Sequence, residues 1–248
     1  MTAPLAGRTV LVTRPREESG ELVRRLSDLG AAAMAAPTIR FRTGDAAGLT
    51  ALRDEEARGA FTWVVFTSAR GVRTWFEQAG DDLRPRARVA AVGSGTADAL
   101  RDRGVEPDLV PARYTTEGLA EAFPAGSGRV LLPRADLATG DLEAALAGKG
   151  WSPMRVEAYR IELVGRLPDS VVGALARDEV DAVTFTSAST VQGFARATGH
   201  RPTAVCIGPV TEQAARRAGF PIGGSAASHT IEGVVDAVVR LLGPGARG

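Results

Sequence analysis

The sequence predicts an α/β protein made of two similar doubly wound domains, each with a mostly parallel sheet. The first observation is a repeat: WVVFTSARGV, which begins at Trp63, recurs nearly unchanged as AVTFTSASTV at Ala182. The second is that other segments recur around it in the same order. The third is that each copy places a short apolar run before a turn of small or polar residues, and a helical pattern after that turn.

The recurring segments extend through most of the chain. The pairs are VLVTRP with VLLPRA, AAVGSGTADAL with AVCIGPVTEQA, and YTTEG with HTIEG. They align Arg14 with Arg134 and Gly93 with Gly208. An internal repeat of this length indicates two copies of one architectural unit. The near-continuous apolar runs are typical of parallel strands that are covered on both faces.

Two stretches interrupt this pattern and look extended, AAPTIRFRTGD and RVEAYRIELVGRLPD. They occupy equivalent points in the two copies. If both are linker strands, residues 1–36 and 165–248 form one discontinuous domain and residues 44–155 form the other. The linker strands are then 37–43 and 156–164. The alternative is two sequential halves, near 1–125 and 126–248, and spacing alone does not decide between them.

Composition limits the possible partners. A net charge of +1 gives no global field that attracts nucleic acid or a membrane surface. The single cysteine, Cys206, excludes a disulfide within the chain, and two histidines are few for a zinc cluster. We find no signal-peptide pattern and no run of ~20 apolar residues that could span a bilayer, so we expect a cytoplasmic protein.

The turns after the predicted strands are the candidate binding sites, because ligands of open α/β sheets bind beyond the carboxyl ends of the strands. Each turn precedes a predicted helix, whose N-terminus offers free N–H groups and the positive end of the helix dipole. Such ends suit carboxylate or phosphate groups. The candidate residues are Arg14, Thr67, Ser68, Ala69, Gly93, Ser94, Arg134, Ser187, Ala188, Gly208, Pro209, Val210 and Thr211.

Two simpler interpretations of these turns stay open. Serine and threonine are ordinary helix caps, so a hydroxyl in a turn can have no other role. The segment GSGTAD at Gly93 resembles a dinucleotide-binding turn. However, Asp98 replaces the last glycine of that pattern, and the repeat partner GPVTEQ lacks the second glycine. A nucleotide ligand is therefore disfavoured.

Taken in order, the motifs resemble the uroporphyrinogen-III synthase family. They run from Val10 to Val238 and are VLVTRP, VVFTSARGV, AVGSGTADAL, VLLPRA, VEAYR, TFTSASTVQGF, IGPVTEQAARRAGF and HTIEGVVDAV. Each motif alone has little specificity, whereas the ordered set is specific. The resemblance implies two α/β domains joined by a two-stranded antiparallel linker, with the active site in the cleft between them.

The resemblance also implies a reaction. The family cyclises hydroxymethylbilane, an open-chain tetrapyrrole, to uroporphyrinogen III, with loss of water and inversion of ring D. This step serves haem, sirohaem and cobalamin biosynthesis. The resemblance further implies no metal, no organic cofactor, no nucleic-acid or membrane partner, and a monomer. Every ring of the substrate carries an acetate and a propionate, which suits paired helix N-termini.

Site residues follow from the family motifs. Tyr159 matches the tyrosine of the returning linker strand and would act as the general acid, because a phenol is protonated at neutral pH. Thr211 matches the threonine of the Gly-Pro-x-Thr turn and would orient a substrate carboxylate or hydroxyl. The other candidate turn residues would bind substrate, mainly through backbone N–H groups.

Two other classes of function are compatible with this fold. A non-catalytic regulatory module would bind the bilane with saturation but without turnover. We would expect such a module to carry an output domain, and the polar end LLGPGARG predicts none. A generic α/β transferase or nucleotide binder is the third class, and the broken glycine pattern argues against it.

Overall fold

A computed structural model describes residues 3–77, 84–136 and 138–244 of the chain. The chain divides into two compact units. Unit 1 is Met1–Phe41 with Glu162–Gly248, and unit 2 is Arg42–Ile161. The chain therefore starts unit 1, leaves it to build unit 2, and then returns to complete unit 1.

Most of the strands are short, and only one is longer than seven residues. They are β1 (Thr9–Val12), β2 (Ala32–Ala35), β3 (Ile39–Thr43), β4 (Trp63–Phe66), β5 (Arg88–Ala91), β6 (Arg129–Ala135), β7 (Ser152–Leu163), β8 (Ala182–Phe185), β9 (Ala204–Cys206) and β10 (Ile222–Ser225). Both β3 and β7 contain the residues at which the chain passes from one unit to the other, so both linking segments are extended.

Helices follow most of these strands. They are α1 (Gly20–Asp28), α2 (Ala46–Ala57), α3 (Ala69–Glu77), α4 (Ser94–Arg101), α5 (Thr116–Ala122), α6 (Asp141–Gly148), α7 (Asp169–Ala176), α8 (Ala188–Ala197), α9 (Pro209–Arg217) and α10 (Ile231–Leu242). A short 3-10 helix, Arg16–Glu18, precedes α1. Within the described residues, no helix is both long enough and apolar enough to cross a bilayer.

The sheet of unit 1 has the order β10-β9-β8-β1-β2, and all of its neighbouring strands are parallel. The second sheet has the order β3-β7-β6-β4-β5, in which β7, β6, β4 and β5 are parallel. Strand β3 is antiparallel to β7, because the partner of Thr38 is Val164 whereas the partner of Gly44 is Ala158. The predicted α/β fold with two parallel-dominated sheets is confirmed.

The sequence repeat is also a repeat of strand register. In the second sheet Trp63 pairs with Val130, and in unit 1 the equivalent residues Ala182 and Val10 pair. The edges of the two sheets correspond as well. Leu109 forms a parallel β-bridge with Ala90 of β5, just as β10 pairs with β9 in unit 1. The two copies therefore place their turns at equivalent points of equivalent sheets.

Burial of both sheet faces explains the apolar strands. In β1, Val10 and Val12 belong to a core cluster with Leu22, while Leu11 between them belongs to a second cluster with Phe185. Alternate residues of a strand point to opposite faces, so both faces must be covered by helices.

One glycine lets α8 contact the extended segment before β3 directly. A Cβ atom on Gly193 would lie 2.3 Å from the carbonyl oxygen of Thr38. The same contact is fixed by the Thr38 hydroxyl, which donates to the Thr190 carbonyl at 3.0 Å. Thr38 is fully buried, so its backbone has little room to move.

We expect Gly193→Ala to lower the free energy of unfolding by about 1–3 kcal/mol, because the added methyl overpacks a backbone contact. Gly148→Ala is the matched control, since no atom lies within 4 Å of its Cβ position in α6. Alanine there should stabilise by up to about 1 kcal/mol. Urea unfolding of both variants measures the difference, and a stabilised Gly193→Ala protein would contradict the contact.

Candidate functional site

The repeated segment FTSA forms a capped helix start in each unit. In unit 2, the Ser68 hydroxyl accepts a hydrogen bond from the Gly71 N–H at 3.0 Å, where α3 begins. In unit 1, the Ser187 hydroxyl accepts from the Thr190 N–H, and the Thr190 hydroxyl accepts from the Ser187 N–H, both at 3.3 Å. Each serine therefore satisfies one orphan N–H group and leaves others for water or a ligand.

The next turn of each unit begins with glycine and lacks a side-chain cap. Helix α4 follows Gly93 and α9 follows Gly208, and neither has a side-chain hydrogen bond at its N-cap. Because no side-chain hydrogen bond caps these N-termini, the free N–H groups of their first turns can bind an anion, although Pro209, the first residue of α9, has no N–H to offer. The β4 and β5 turns share one sheet edge in unit 2, as the β8 and β9 turns do in unit 1.

Tyr159 lies on β7 and is 6% exposed. Its phenol oxygen lies 2.9 Å from the Ser68 hydroxyl oxygen. The Ser68 oxygen already accepts from Gly71, so its own proton can go to the phenol. The opposite direction is equally open, because a hydroxyl oxygen can accept two hydrogen bonds, and in either case the phenol lies beside the start of α3. Two residues predicted separately, one as catalytic and one as substrate-binding, thus meet in unit 2.

The acidic residue in the first turn of α9, Glu212, already accepts hydrogen bonds from two side chains. Ser225 and Arg216 donate hydrogen bonds to the Glu212 carboxylate, which lowers the pKa of Glu212. Cys206, at the end of β9, is fully buried, and this burial raises the pKa of its thiol to about 12. The thiol is therefore protonated and is not a nucleophile at neutral pH.

The placement predicted for Arg134 is wrong. The residue lies within β6, and the next helix, α6, begins only at Asp141. Arg134 is 5% exposed, and its Nη1 atom donates to the Glu143 carboxylate at 2.7 Å and to the Thr139 carbonyl at 2.9 Å. The prediction missed an acidic partner nine residues along the chain, which makes a buried cation tolerable.

Arg14 also has an acidic partner. Its Nη2 atom donates to the Glu18 carboxylate at 3.0 Å, and its Nε atom donates to the Glu18 carbonyl at 2.9 Å. The turn leads into the 3-10 helix, and α1 starts later, at Gly20, so Arg14 is not at the start of an α-helix as predicted. The i,i+4 spacing of arginine and glutamate was the available sequence signal.

The remaining predicted residues except Tyr159, which lies on β7, are at turns or at the helix starts that follow them. Unit 2 holds Thr67, Ser68, Ala69, Gly93 and Ser94 together with Tyr159, and unit 1 holds Ser187, Ala188, Gly208, Pro209, Val210 and Thr211. Sequence reasoning omitted Thr96 from the site. The repeat makes Thr96 the equivalent of Thr211, and both residues are 5% exposed.

Comparisons with known proteins agree on one family. A family model described as uroporphyrinogen-III synthase HemD matches residues 20–236. A porphyrin biosynthesis protein HemD of Ruminiclostridium josui is 32% identical over 98% of this chain and 50% of its own length. A putative uroporphyrinogen-III synthase of Methanothermobacter thermautotrophicus is 33% identical over 77% of this chain and 78% of its own length.

Solved structures show the same fold. The uroporphyrinogen III synthase of Thermus thermophilus has a TM-score of 0.68 at 23% identity, covering 95% of this chain and 98% of that one. The Helicobacter pylori enzyme has a TM-score of 0.63 at 17% identity, covering 94% and 99%. The chain spans about half the length of the Ruminiclostridium josui relative. From the family model and these relatives, the chain belongs to the uroporphyrinogen-III synthase family.

Proposed function

We propose that this protein cyclises hydroxymethylbilane to uroporphyrinogen III, with loss of water and inversion of ring D. The observation that supports this most directly is the Tyr159 phenol, held 2.9 Å from the Ser68 hydroxyl at the start of α3. This arrangement puts a proton donor beside a helix N-terminus. The substrate needs both features, because it loses a hydroxyl group and carries carboxylates on every ring.

The first task is to hold a polycarboxylate with a chain whose net charge is only +1. Helices α3, α4, α8 and α9 all begin at the carboxyl ends of parallel strands. Their N–H groups and dipoles attract anions without a cluster of lysine or arginine. We propose that substrate carboxylates bind at these turns, through Thr67, Ser68, Ala69, Gly93, Ser94, Ser187, Ala188, Gly208, Pro209 and Val210.

The second task is to break a carbon–oxygen bond. The proton of Tyr159 passes to the departing hydroxyl of ring A, which leaves as water, while the electrons of the pyrrole nitrogen form a protonated azafulvene that keeps the pyrrole N–H. The substituted carbon of ring D then attacks this cation to give the spiro intermediate. In that intermediate the bond from the same carbon to the bridge with ring C breaks, which leaves a protonated azafulvene on ring C, and the free α-carbon of ring D attacks it to close the macrocycle. Loss of a ring proton in the last step restores the phenol. Thr211 orients a carboxylate or hydroxyl during this sequence.

Position accounts for much of the catalysis. The bilane closes unaided to the uninverted isomer, so the protein must mainly fix which ring D carbon meets the azafulvene.

We further propose that units 1 and 2 are the two domains, with linker strands at 37–43 and 156–164. We also propose that the protein acts as a monomer in the cytoplasm, without a nucleic-acid or membrane partner.

Product isomers test the function. Purified protein given fresh hydroxymethylbilane should yield type III uroporphyrinogen in excess, measured by chromatography of the oxidised porphyrins. The control without protein should give type I only. If folded protein binds the bilane with saturation but yields type I at the uncatalysed rate, the protein is a tetrapyrrole-binding module and the synthase proposal fails.

Tyr159→Phe should lower kcat by roughly 10²–10⁴-fold, because it removes the general acid and little else. Its thermal unfolding should stay close to that of the wild type. Ser68→Ala and Ser187→Ala are a matched pair, since each removes a helix cap worth about 1 kcal/mol. Both variants also lose a proposed carboxylate contact and should raise KM, whereas only Ser68→Ala removes a hydrogen-bond partner of the phenol, so only that variant should lower kcat. Equal kcat in Tyr159→Phe and wild type would remove Tyr159 as the acid.

That Arg14 and Arg134 contact the substrate stays a prediction. For Arg134, a double variant that also replaces its partner Glu143 tests this contact. Arg134→Met alone should destabilise by about 2–4 kcal/mol, because Glu143 then loses its buried partner. Adding Glu143→Leu should recover most of that loss, as measured by urea unfolding. An unchanged KM in the recovered double variant would leave Arg134 a structural role only, whereas a raised KM would support contact with a carboxylate.

A further inference from the structure

A ring side chain packs on the glycine of the uncapped turn in each unit. A Cβ atom on Gly93 would lie 2.8 Å from the Cβ atom and 2.9 Å from the Cγ atom of Tyr114. A Cβ atom on Gly208 would lie 2.5 Å from Nε2 and 2.7 Å from Cδ2 of His229. The rings thus occupy space that any other residue type would need. We call Gly93–Thr96 and Gly208–Thr211 the ring-covered turns.

The two ring residues are equivalent in the repeat, although their side chains differ. Tyr114 precedes α5 and His229 precedes α10, in the paired segments YTTEG and HTIEG. The second residue of each segment, Thr115 or Thr230, caps the helix that follows, at 3.0 Å and 3.1 Å respectively. The cap fixes the backbone beside the ring, so each ring is held at the start of α4 or α9.

Each ring-covered turn also contains a threonine that is nearly buried and whose hydroxyl has no hydrogen-bond partner among the described residues. Thr96 and Thr211 are each 5% exposed, and in the part of the chain that the structure describes neither hydroxyl makes a hydrogen bond. Thr190, at the same position of α8, behaves differently. It donates to the Ser187 carbonyl at 2.7 Å. Neither hydroxyl is among the fully buried unpaired polar atoms of the described residues, so each reaches the surface of its turn, where it can donate to a ligand or to water.

Exposed apolar surface is concentrated at the same two turns. Among the described residues, three large apolar side chains are exposed: Tyr114 by 49%, Val210 by 69% and Val172 by 47%. Tyr114 covers one ring-covered turn, and Val210 belongs to the other. Of these three, only Val172, on α7, lies elsewhere. Both turns are therefore amphipathic, with N–H and hydroxyl donors beside an apolar surface.

We propose that each ring-covered turn holds one pyrrole ring of the tetrapyrrole, with Tyr114 or His229 packed against that ring. The ring's carboxylates bind the N–H groups of the turn and the hydroxyl of Thr96 or Thr211. This inference rests on the proposed function for its substrate class. It makes Tyr114 and His229 positioning residues that select a pyrrole carrying carboxylates over a simple polycarboxylate.

The charges near the turns fit this assignment. Glu212, in the first turn of α9, is the acidic group nearest in sequence to Val210, and it is neutralised by Arg216 and by the Ser225 hydroxyl. In α4, Asp98 pairs with Arg101 at 3.0 Å. Glu212 thus has two donors, whereas Asp98 shares Arg101 with Glu106.

Direct binding tests the inference. Uroporphyrinogen III is equilibrated with the protein by dialysis without oxygen, and bound ligand is measured as porphyrin after oxidation. Tyr114→Leu and His229→Leu should each raise Kd about three- to tenfold, because a ring contact is lost while the apolar volume is kept. KM for hydroxymethylbilane should rise by the same factor, and kcat should change little.

Three further variants serve as controls. Tyr114→His and His229→Tyr exchange the equivalent rings and should leave Kd within about twofold of the wild type. Val172→Ala changes the exposed apolar residue outside the turns and should not affect Kd. Thermal unfolding shows whether each variant is folded. If a leucine variant fails to fold, binding is measured instead in Tyr114→Phe, Tyr114→His and His229→Tyr, which all keep a ring. Loss of uroporphyrinogen III binding in folded forms of these variants contradicts the proposal.

The outcomes separate this inference from the proposed function. Folded leucine variants that bind uroporphyrinogen III as tightly as the wild type overturn the ring contacts, even if the wild type makes type III product. Wild-type protein that binds the ligand through these rings but makes only type I product supports the ring contacts and overturns the synthase. Wild-type protein that does not bind uroporphyrinogen III overturns the ring contacts directly.

Discussion

Burial of both faces of each parallel sheet is the constraint on which the rest of this structure depends. In β4 and β8 every residue is buried, so these strands offer no side chain to a ligand. Their backbone groups are used in the sheet. In the segments that contain β4 and β8, polar groups can therefore reach a ligand only where the strand ends and the helix begins, whereas Tyr159 reaches the start of α3 from β7. The candidate site lies at the turns because the sheets leave it no other place, and the helix N-termini there supply donors without any charged side chain.

The repeat gives both units the same strands and turns, but the side chains around the turns differ. Ser68 and Ser187 cap equivalent helices, yet the Ser68 hydroxyl meets the Tyr159 phenol while the Ser187 hydroxyl meets Ser189, both at 2.9 Å. In the alignment, the position equivalent to Tyr159 is held by Ile39, a buried apolar residue. One unit can thus carry an acid while the other cannot. The hydroxyl pair Thr96 and Thr211 is kept in both units, as expected for a role in binding.

Sequence reasoning predicts those parts of the fold that local patterns determine. The apolar runs, the caps, the turn glycines and the extended linking segments follow from periodicity and residue type. Arg134 was misplaced because its environment depends on Glu143 and on how far β6 extends, which no local pattern reveals. The Tyr159 and Ser68 contact also escaped prediction. It depends on the register of β6 with β7, which shifts between Arg134 and Ala135.

If backbone donors bind the anion as proposed, the side chains at these turns do not have to supply charge and can select the ligand instead. A helix N-terminus attracts a carboxylate whichever residues surround it, since the N–H groups and the dipole belong to the main chain. The side chains are then free to distinguish one carboxylate ligand from another. Glycine at positions 93 and 208 is what brings a ring close enough to do so, because a Cβ atom would displace the ring. On the binding that we propose, affinity for charge resides in the backbone, and orientation of the ligand resides in Tyr114, His229, Thr96 and Thr211.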